Sequence, residues 1–259
     1  MRYAYTLTLV FVVQLGATEP ENLLKNPGFE DEVNTVWVAN GKPEAPIAPQ
    51  IDEQVFKSGK RSYRTGGNNF LQMVPIRQNH RYRVSAFMKC EDMRGDGAHV
   101  TVGAKDADRN WVKGLWARTE SLKGTRDWKV YSKDNIVFPK GTAYAWVALY
   151  GPQNSKEEDA GGVAWFDDAR FEDVTLEPLT KAMEGKTFQA FRQSVEDQIN
   201  KSKSDPVKEK AKKTLDELEA RMAKKPEEMT LQDVDTAVEW VEAIERLKSE
   251  AKIEDLLAE

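Results

Sequence analysis

The chain has 259 residues, and its 43 Asp and Glu against 38 Lys and Arg give a formal net charge of -5. This charge, together with the absence of a long basic stripe with interleaved aromatic residues, argues against a nucleic acid or an anionic membrane as partner. Acidic polymers stay open as ligands, because a local patch can oppose the net charge.

The first segment, residues 1–17, predicts a signal peptide. Arg2 precedes an apolar run that ends in Leu15-Gly16-Ala17, with cleavage expected near Ala17. The run is too short to span a bilayer, and the next residue is Thr18 rather than the cysteine of a lipoprotein. We therefore expect a secreted or periplasmic protein without a membrane span. Cys90 is the sole cysteine, so packing or a bound ion must stabilise the fold.

Residues 19–177 have the composition of a β-domain. Period-two segments alternate with Gly, Asn and Pro clusters, and six of the seven Trp residues lie here. In 81–89, Tyr82, Val84, Ala86 and Met88 share one face. In 143–150 the small and aliphatic residues share one face and the aromatic residues the other. Many strands without intervening helical patterns predict an antiparallel β-sandwich.

Residues 179–259 change character abruptly, with many charged residues and apolar residues at helical spacing. Three apolar stripes run from Phe188 to Ile199, from Val207 to Met222 and from Val234 to Leu247. Thr230 and Asp233 resemble a capping box at the start of the third. We predict about three helices that form either a small bundle or an oligomeric coiled coil.

Several separated segments carry a resemblance to a known family. They are Asn22-Leu23-Leu24-Lys25-Asn26-Pro27-Gly28-Phe29-Glu30, then Ser58-Gly59-Lys60-Arg61-Ser62, Phe70 to Ile76, Asn79 to Phe87, Asp127 to Tyr131 and Gly162 to Phe171. Their order and spacing resemble the jelly-roll carbohydrate-binding modules of families four and nine. The resemblance implies a mainly β fold, an antiparallel jelly-roll β-sandwich, here followed by a small all-α C-terminal segment.

A cation site is expected where the two ends of this β-domain meet. Alternation in the last strand turns Asp167 inward with Val163, Trp165, Ala169 and Phe171, and a buried carboxylate needs a partner. Glu30 and carbonyl groups of the Lys57 to Lys60 turn would complete an oxygen set for Ca²⁺. The resemblance implies the ligands Gly28, Glu30, Lys57, Lys60 and Asp167. In the alternative interpretation Asp167 only hydrogen-bonds to backbone at a strand edge.

Aromatic residues away from the aliphatic face predict a sugar-binding strip, because sugar C–H faces stack on aromatic rings while hydroxyl groups need polar neighbours. The candidates are Tyr144, Trp146, Tyr150, Phe87, Arg83, Gln72, Trp111 and Trp116. Alternatively, the opposing sheet and the helical segment cover both sheet faces and these aromatic residues belong to the core.

No catalytic constellation stands out. Asp167 and Asp168 are adjacent and point to opposite faces, a poor geometry for glycoside hydrolysis. Neither His80 nor His99 lies in a metal-ligand motif, and no phosphate-binding loop is present. We expect a non-enzymatic glycan-binding protein whose helical tail mediates oligomerisation or attachment to a protein partner. The alternatives are a jelly-roll scaffold without sugar binding and an accessory subunit of a glycoside hydrolase.

Overall fold

The computed structural model describes residues 19–31, 36–40, 50–67, 69–152 and 161–257. The predicted signal peptide lies outside these residues. The chain divides into a β-unit, Pro20–Val174, and a helical unit that begins at Thr175. The predicted fold class, mainly β with helices at the C-terminus, is confirmed. Among the described helices, none is long and apolar enough to span a membrane.

The β-unit is a curled antiparallel sheet with the strand order β1-β4-β8-β5-β9-β3-β2, in which β6 and β7 also pair with β5. Strand β5 runs through both layers of the sandwich: its first part pairs with β9 and β7, and its last part pairs with β8 and β6. The strands are β1 (Val38–Asn40), β2 (Gln50–Asp52), β3 (Ser62–Thr65), β4 (Asn69–Pro75), β5 (Arg81–Lys105), β6 (Trp111–Arg118), β7 (Leu122–Val137), β8 (Tyr144–Tyr150) and β9 (Val163–Asp173).

The core between the two layers follows the predicted alternation. On β5 every second residue from Tyr82 to Cys90 is buried in it, and on β8 the core receives Ala145, Val147 and Leu149. Cys90 is a buried thiol whose Sγ donates a hydrogen bond to the carbonyl of Gly124 at 3.0 Å. Alternation with period two thus places one face of each strand against the opposite layer.

The N-terminal segment lies along β9, as the resemblance implies. The side chain of Asn22 donates to the carbonyl of Ala169 and accepts from the amide of Phe171. The amide of Ala169 in turn donates to the carbonyl of Pro27. Phe29 then enters the core beside Trp37 and Tyr63, with ring centroids 5.3 and 5.9 Å away.

The orientation predicted for the residues around Asp167 is wrong. A β-bulge interrupts the pairing of β9 with β5 between Asp167 and Arg170, and Asp168 has a φ of 46°. The bulge shifts the alternation, so that Phe166 before it and Ala169 after it both lie in the core. Trp165 and Asp167 therefore do not share a face with Ala169, although Asp167 is fully buried.

The helical unit has three long helices, as predicted, preceded by a short one. They are α1 (Glu177–Ala182), α2 (Phe188–Ile199), α3 (Asp205–Met222) and α4 (Leu231–Leu257), with a 3-10 turn at Pro226–Glu228. The predicted stripes on α2 and α3 are buried in one shared core with α4. The described helices thus form a bundle within one chain. The predicted capping box is present, since the amide of Asp233 donates to Thr230 Oγ1 and the amide of Thr230 donates to Asp233 Oδ2.

Candidate functional site

The candidate site lies on the face of β8 that points away from the core. This face carries Trp146, Ala148 and Tyr150. In the sheet register, Trp146 lies between Met73 of β4 and Gly103 of β5, and Tyr150 lies between Asn69 and His99. Antiparallel partners share a face, so these residues form one continuous surface.

Two further tryptophans extend this surface from β6. The ring centroids of Trp111 and Trp116 lie 5.2 and 5.7 Å from that of Trp146, and 5.6 Å from each other. Tyr150 lies 5.8 Å from Trp146 on the other side. We call these four residues the aromatic face. Trp111 is 52% exposed and Trp116 57%, whereas Trp146 is 5% exposed beneath them.

Gly103 determines how closely the tryptophans approach the sheet. A Cβ at this position would lie 2.7 Å from Cζ3 of Trp111 and 3.3 Å from Cζ3 of Trp116. Both rings therefore occupy space that a side chain on β5 would otherwise fill. Two indoles with more than half of their surface exposed provide apolar ring faces that a sugar can stack on.

Polar groups line the floor of the same surface. His99 stacks on Tyr150, with centroids 5.2 Å apart and an interplanar angle of 8°. Burial lowers the pKa of His99, so its ring is neutral at pH 7. Thr101 Oγ1 and Asn69 Oδ1 are buried without a hydrogen-bond partner in the described part of the chain. Buried polar atoms usually have a partner, so these two atoms, which have almost no accessible surface, leave hydrogen-bonding capacity unused beneath the aromatic face.

The structure brings together only part of the predicted strip. Trp146, Tyr150, Trp111 and Trp116 converge, and half-buried Tyr144 continues the same face of β8. The other three candidates, Gln72, Phe87 and Arg83, do not belong to this surface. Gln72 turns toward the N-terminal segment, where its amide accepts from Lys25 N and donates to Lys25 O.

Phe87 and Arg83 lie on the part of β5 that belongs to the other layer. Lys57 Nζ lies 5.3 Å from the centroid of Phe87, and Arg83 forms an ion pair with Asp134. Sequence reasoning missed Gly103, His99, Thr101 and Lys105. The alternation of β5 could have located them, because they alternate along the strand with the core residues Val100, Val102 and Ala104.

The predicted cation site is a separate cluster of carboxylates at the bulge of β9. Asp167 Oδ2 accepts hydrogen bonds from the amides of Lys57 at 2.7 Å and Ser58 at 3.0 Å. Glu30 Oε1 accepts from the amides of Lys60 at 2.9 Å and Arg61 at 3.1 Å. The turn from Lys57 to Lys60 thus meets both carboxylates with its N–H groups.

Gly28 lies in the middle of this cluster. A Cβ there would lie 3.5 Å from Asp168 Oδ1, 3.6 Å from Asp167 Oδ1 and 3.7 Å from Glu30 Cγ. Burial raises the pKa of Asp167 to about 6, against the opposing effect of the Ser58 and Lys57 amides. The two carboxylate oxygens beside Gly28 are of the ligand type that a hard cation such as Ca²⁺ prefers. Among the described residues, however, no three His, Cys, Asp or Glu side chains are already arranged as a metal site.

Comparison with known proteins extends this description. No protein-family model matches the chain. One curated relative, a tRNA nuclease, WapA of Bacillus subtilis (strain 168), is 23% identical over 178 residues, which are 64% of this chain and 8% of that protein. The chain therefore spans a small part of the length of this relative.

The solved structures to which the chain is similar include carbohydrate-binding modules. One is TmCBM61 in complex with β-1,4-galactotriose, with 20% identity and a TM-score of 0.41, covering 59% of this chain and 99% of that one. Another is the CBM22-1 xylan-binding domain of Paenibacillus barcinonensis Xyn10C, with 16% identity, a TM-score of 0.44 and coverages of 61% and 97%. A family 4 module has 12% identity, a TM-score of 0.37 and coverages of 57% and 98%.

Proposed function

We propose that the β-unit is a non-catalytic module that binds a glycan on the aromatic face. The observation that carries this proposal is the exposure of Trp111 and Trp116, whose rings lie side by side over Gly103. Soluble proteins rarely leave contiguous large apolar groups in water unless the surface binds something.

The surroundings of the two rings suit a carbohydrate. Indole faces contact sugar C–H groups, and buried polar atoms select for hydroxyl groups, because an unpaired polar atom penalises a ligand that cannot pair with it. Thr101 Oγ1 and Asn69 Oδ1 are such atoms, although a ligand would reach them only after the covering side chains move, and His99 adds a ring nitrogen beside Tyr150. Ring faces and hydrogen-bonding groups thus occur on one surface.

Titration of the full chain with neutral and acidic polysaccharides, followed by tryptophan fluorescence, tests the proposal. We expect a saturable change with at least one polysaccharide, and a loss of affinity of about tenfold in W116A, because a stacked aromatic ring contributes about 1 kcal/mol. W128A is the matched control, since half-buried Trp128 lies on β7 in the other layer. No saturable change with any polysaccharide would favour a scaffold without sugar binding. W116A binding as tightly as wild type would instead contradict the aromatic face as the binding site.

We propose further that Ca²⁺ stabilises the β-unit at the Glu30, Asp167 and Asp168 cluster. The arrangement around Gly28 and the raised pKa of Asp167 support this, because a cation would offset the cost of burying an ionised carboxylate. The bound ion would hold the N-terminal segment, the Lys57 to Lys60 turn and β9 together. It lies apart from the aromatic face and is proposed as structural.

The remaining functional expectations stay proposals. The signal-peptide pattern supports secretion, or export to the periplasm. The helical unit, a bundle with its own core, is proposed to mediate oligomerisation or attachment to a protein partner such as a glycoside hydrolase. Size-exclusion chromatography of the full chain beside a variant truncated after residue 177 tests the oligomeric role: we expect a change from oligomer to monomer, and equal oligomeric states would contradict it.

A further inference from the structure

We infer that the glycan bound on the aromatic face is anionic, carrying carboxylate or sulfate groups along its chain. This inference rests on the proposed glycan binding and specifies the class of ligand. It depends on the distribution of charge over the two layers of the β-unit.

Two cations flank the exposed tryptophans. In the register of β5 with β6, Lys105 lies opposite Trp111, Gly103 opposite Trp116 and Thr101 opposite Arg118. Lys105 and Arg118 are therefore on the same face as the two indoles, one at each end. Lys105 is four positions from Thr101 on β5, which is about 13 Å along the strand.

The ammonium group of Lys105 is held in a defined position. Its Nζ lies 3.6 Å from the centroid of Trp111, within cation–π distance. An ammonium group has three N–H donors, and the face of the Trp111 ring cannot interact with all of them. An anionic group on a sugar that stacks against the neighbouring Trp116 would thus meet a positive charge.

Within the described ranges, neither cation is neutralised by a carboxylate. No ion pair joins Lys105 or Arg118 to a residue in the described ranges, and Asp106, next in sequence to Lys105, accepts hydrogen bonds from Asn110 in the β5–β6 turn. The strand residues of this face include no Asp or Glu within the part of the chain that the structure describes. A chain with net charge -5 therefore presents a face that is locally positive.

Some cations of the other layer have carboxylate partners. There Arg83 pairs with Asp134, Lys89 with Asp127 at 3.2 Å and Arg170 with Glu172 at 2.6 Å. On β7 of the same layer, however, Arg126, Lys129 and Lys133 form no ion pair within the described ranges, so cations without a carboxylate partner occur in both layers. An uncompensated cation at each end of an exposed aromatic pair is a recognition feature for negative charge, since complementary charge favours specific association.

The number of cations favours an anionic glycan over a single-stranded nucleic acid. Nucleic-acid grooves follow a phosphate backbone with many cations and are strongly salt-dependent. Two cations whose positions are about 13 Å apart along the strand suit a chain whose charges are fewer and whose rings make the principal contacts.

The test compares pairs of glycans that differ in charge, with an RNA as the alternative anionic ligand. The full chain is titrated at low salt with polygalacturonate, the same polymer fully methyl-esterified, a neutral galactan, a sulfated galactan and a single-stranded RNA. We expect the acidic or the sulfated polymer to bind at least about tenfold more tightly than its uncharged counterpart. This preference should be smaller at about 0.5 M salt, because dissolved ions then screen the attraction between charges over a short distance. Which of the two binds more tightly distinguishes carboxylate from sulfate.

The double variant K105M/R118M removes both charges but retains apolar stems for stacking. Its affinity for the anionic polymer should fall to that of wild type for the uncharged one. The matched control K133M/R126M removes one Lys and one Arg from β7 and should keep the preference. Equal binding of charged and uncharged polymers, tightest binding of RNA, or an unchanged preference in K105M/R118M would overturn the inference alone. Absence of binding to every glycan would instead overturn the proposed function.

Discussion

Gly103 and Trp111 are complementary in shape: a Cβ on Gly103 would lie 2.7 Å from Cζ3 of the indole, far inside van der Waals contact. The glycine is in a strand interior, where glycine weakens pairing and often marks the close approach of another group. Here that group is the indole of Trp111, with Trp116 beside it. The glycine that weakens the pairing of β5 is therefore also the residue over which the two exposed rings lie.

Replacing Gly103 by valine tests this relationship. The branched side chain would displace both indoles from their position over β5, and we expect glycan affinity to fall about tenfold, the size of one lost stacking contact. Because the displaced rings are already half exposed, the unfolding free energy should change by less than about 1 kcal/mol. Fluorescence titration and chemical unfolding measure the two quantities. A variant with wild-type affinity would show that the rings need not lie over Gly103.

Calcium should stabilise the β-unit. At a calcium concentration of about 100 times Kd, binding adds about 2.7 kcal/mol, or roughly 5–10 °C in Tm for a unit of this size. Calorimetry with calcium and with EGTA measures the difference. E30Q should lose most of it, because the variant keeps the shape of Glu30 but lacks its charge. D31N is the matched control, since Asp31 is exposed and next in sequence. Equal Tm values with and without calcium would rule out the calcium site.

Without calcium, the pH dependence of stability should show the raised pKa of Asp167. Burial raises this pKa to about 6 from 3.8, so the folded state binds the proton more tightly than the unfolded state. The unfolding free energy should therefore fall as pH rises from about 4 to 6.5, by on the order of 2 kcal/mol. Urea unfolding in EGTA across this range measures it. In D167N the fall should be absent; the same fall in both proteins would assign it to other groups.

The helical unit should depend on Asp233. Burial opposes ionisation of this carboxyl, but hydrogen bonds from Lys224, Thr230 and Arg221 outweigh it and hold its pKa well below the usual range. Its contribution is thus present at neutral pH and is lost as pH falls below about 4. D233N should cost about 2 kcal/mol at pH 7, the range for hydrogen bonds to a charged group. Urea unfolding followed by helical circular dichroism tests this; D235N at an exposed neighbour should cost far less, and equal effects would contradict the account.

The sequence predicted those features that depend on local periodicity. Alternation located the core residues of β5 and β8. Apolar spacing located α2 and α3 to within a few residues, and it located α4 except for the last ten residues, beyond Leu247. The sequence also predicted that Asp167 is buried. That prediction assumed an unbroken alternation along β9, which the bulge at Asp168 interrupts. A bulge adds one residue to a strand without a distinct composition, so alternation alone does not locate it.

Other features depended on which strands pair. Phe87 was grouped with Trp146 because both lie opposite an aliphatic face, yet β5 crosses between layers and puts them on different sheets. Gln72 appeared on a strand near the aromatic residues, but its partner is the backbone of Lys25, 47 residues earlier. The role of Gly103 follows from the register of β5 with β6, which brings Trp116 opposite to it.

The most direct test of the central claim uses the seven tryptophans themselves. The indole N–H signals of the full chain, assigned by single substitutions, are followed by NMR during titration with the best-binding glycan. Glycan binding at the aromatic face predicts saturable shifts at Trp111, Trp116 and Trp146, with Trp37, Trp128, Trp165 and Trp240 unchanged. Shifts confined to Trp128 or Trp240, or saturable binding without any change at Trp111 and Trp116, would contradict the assignment of the site.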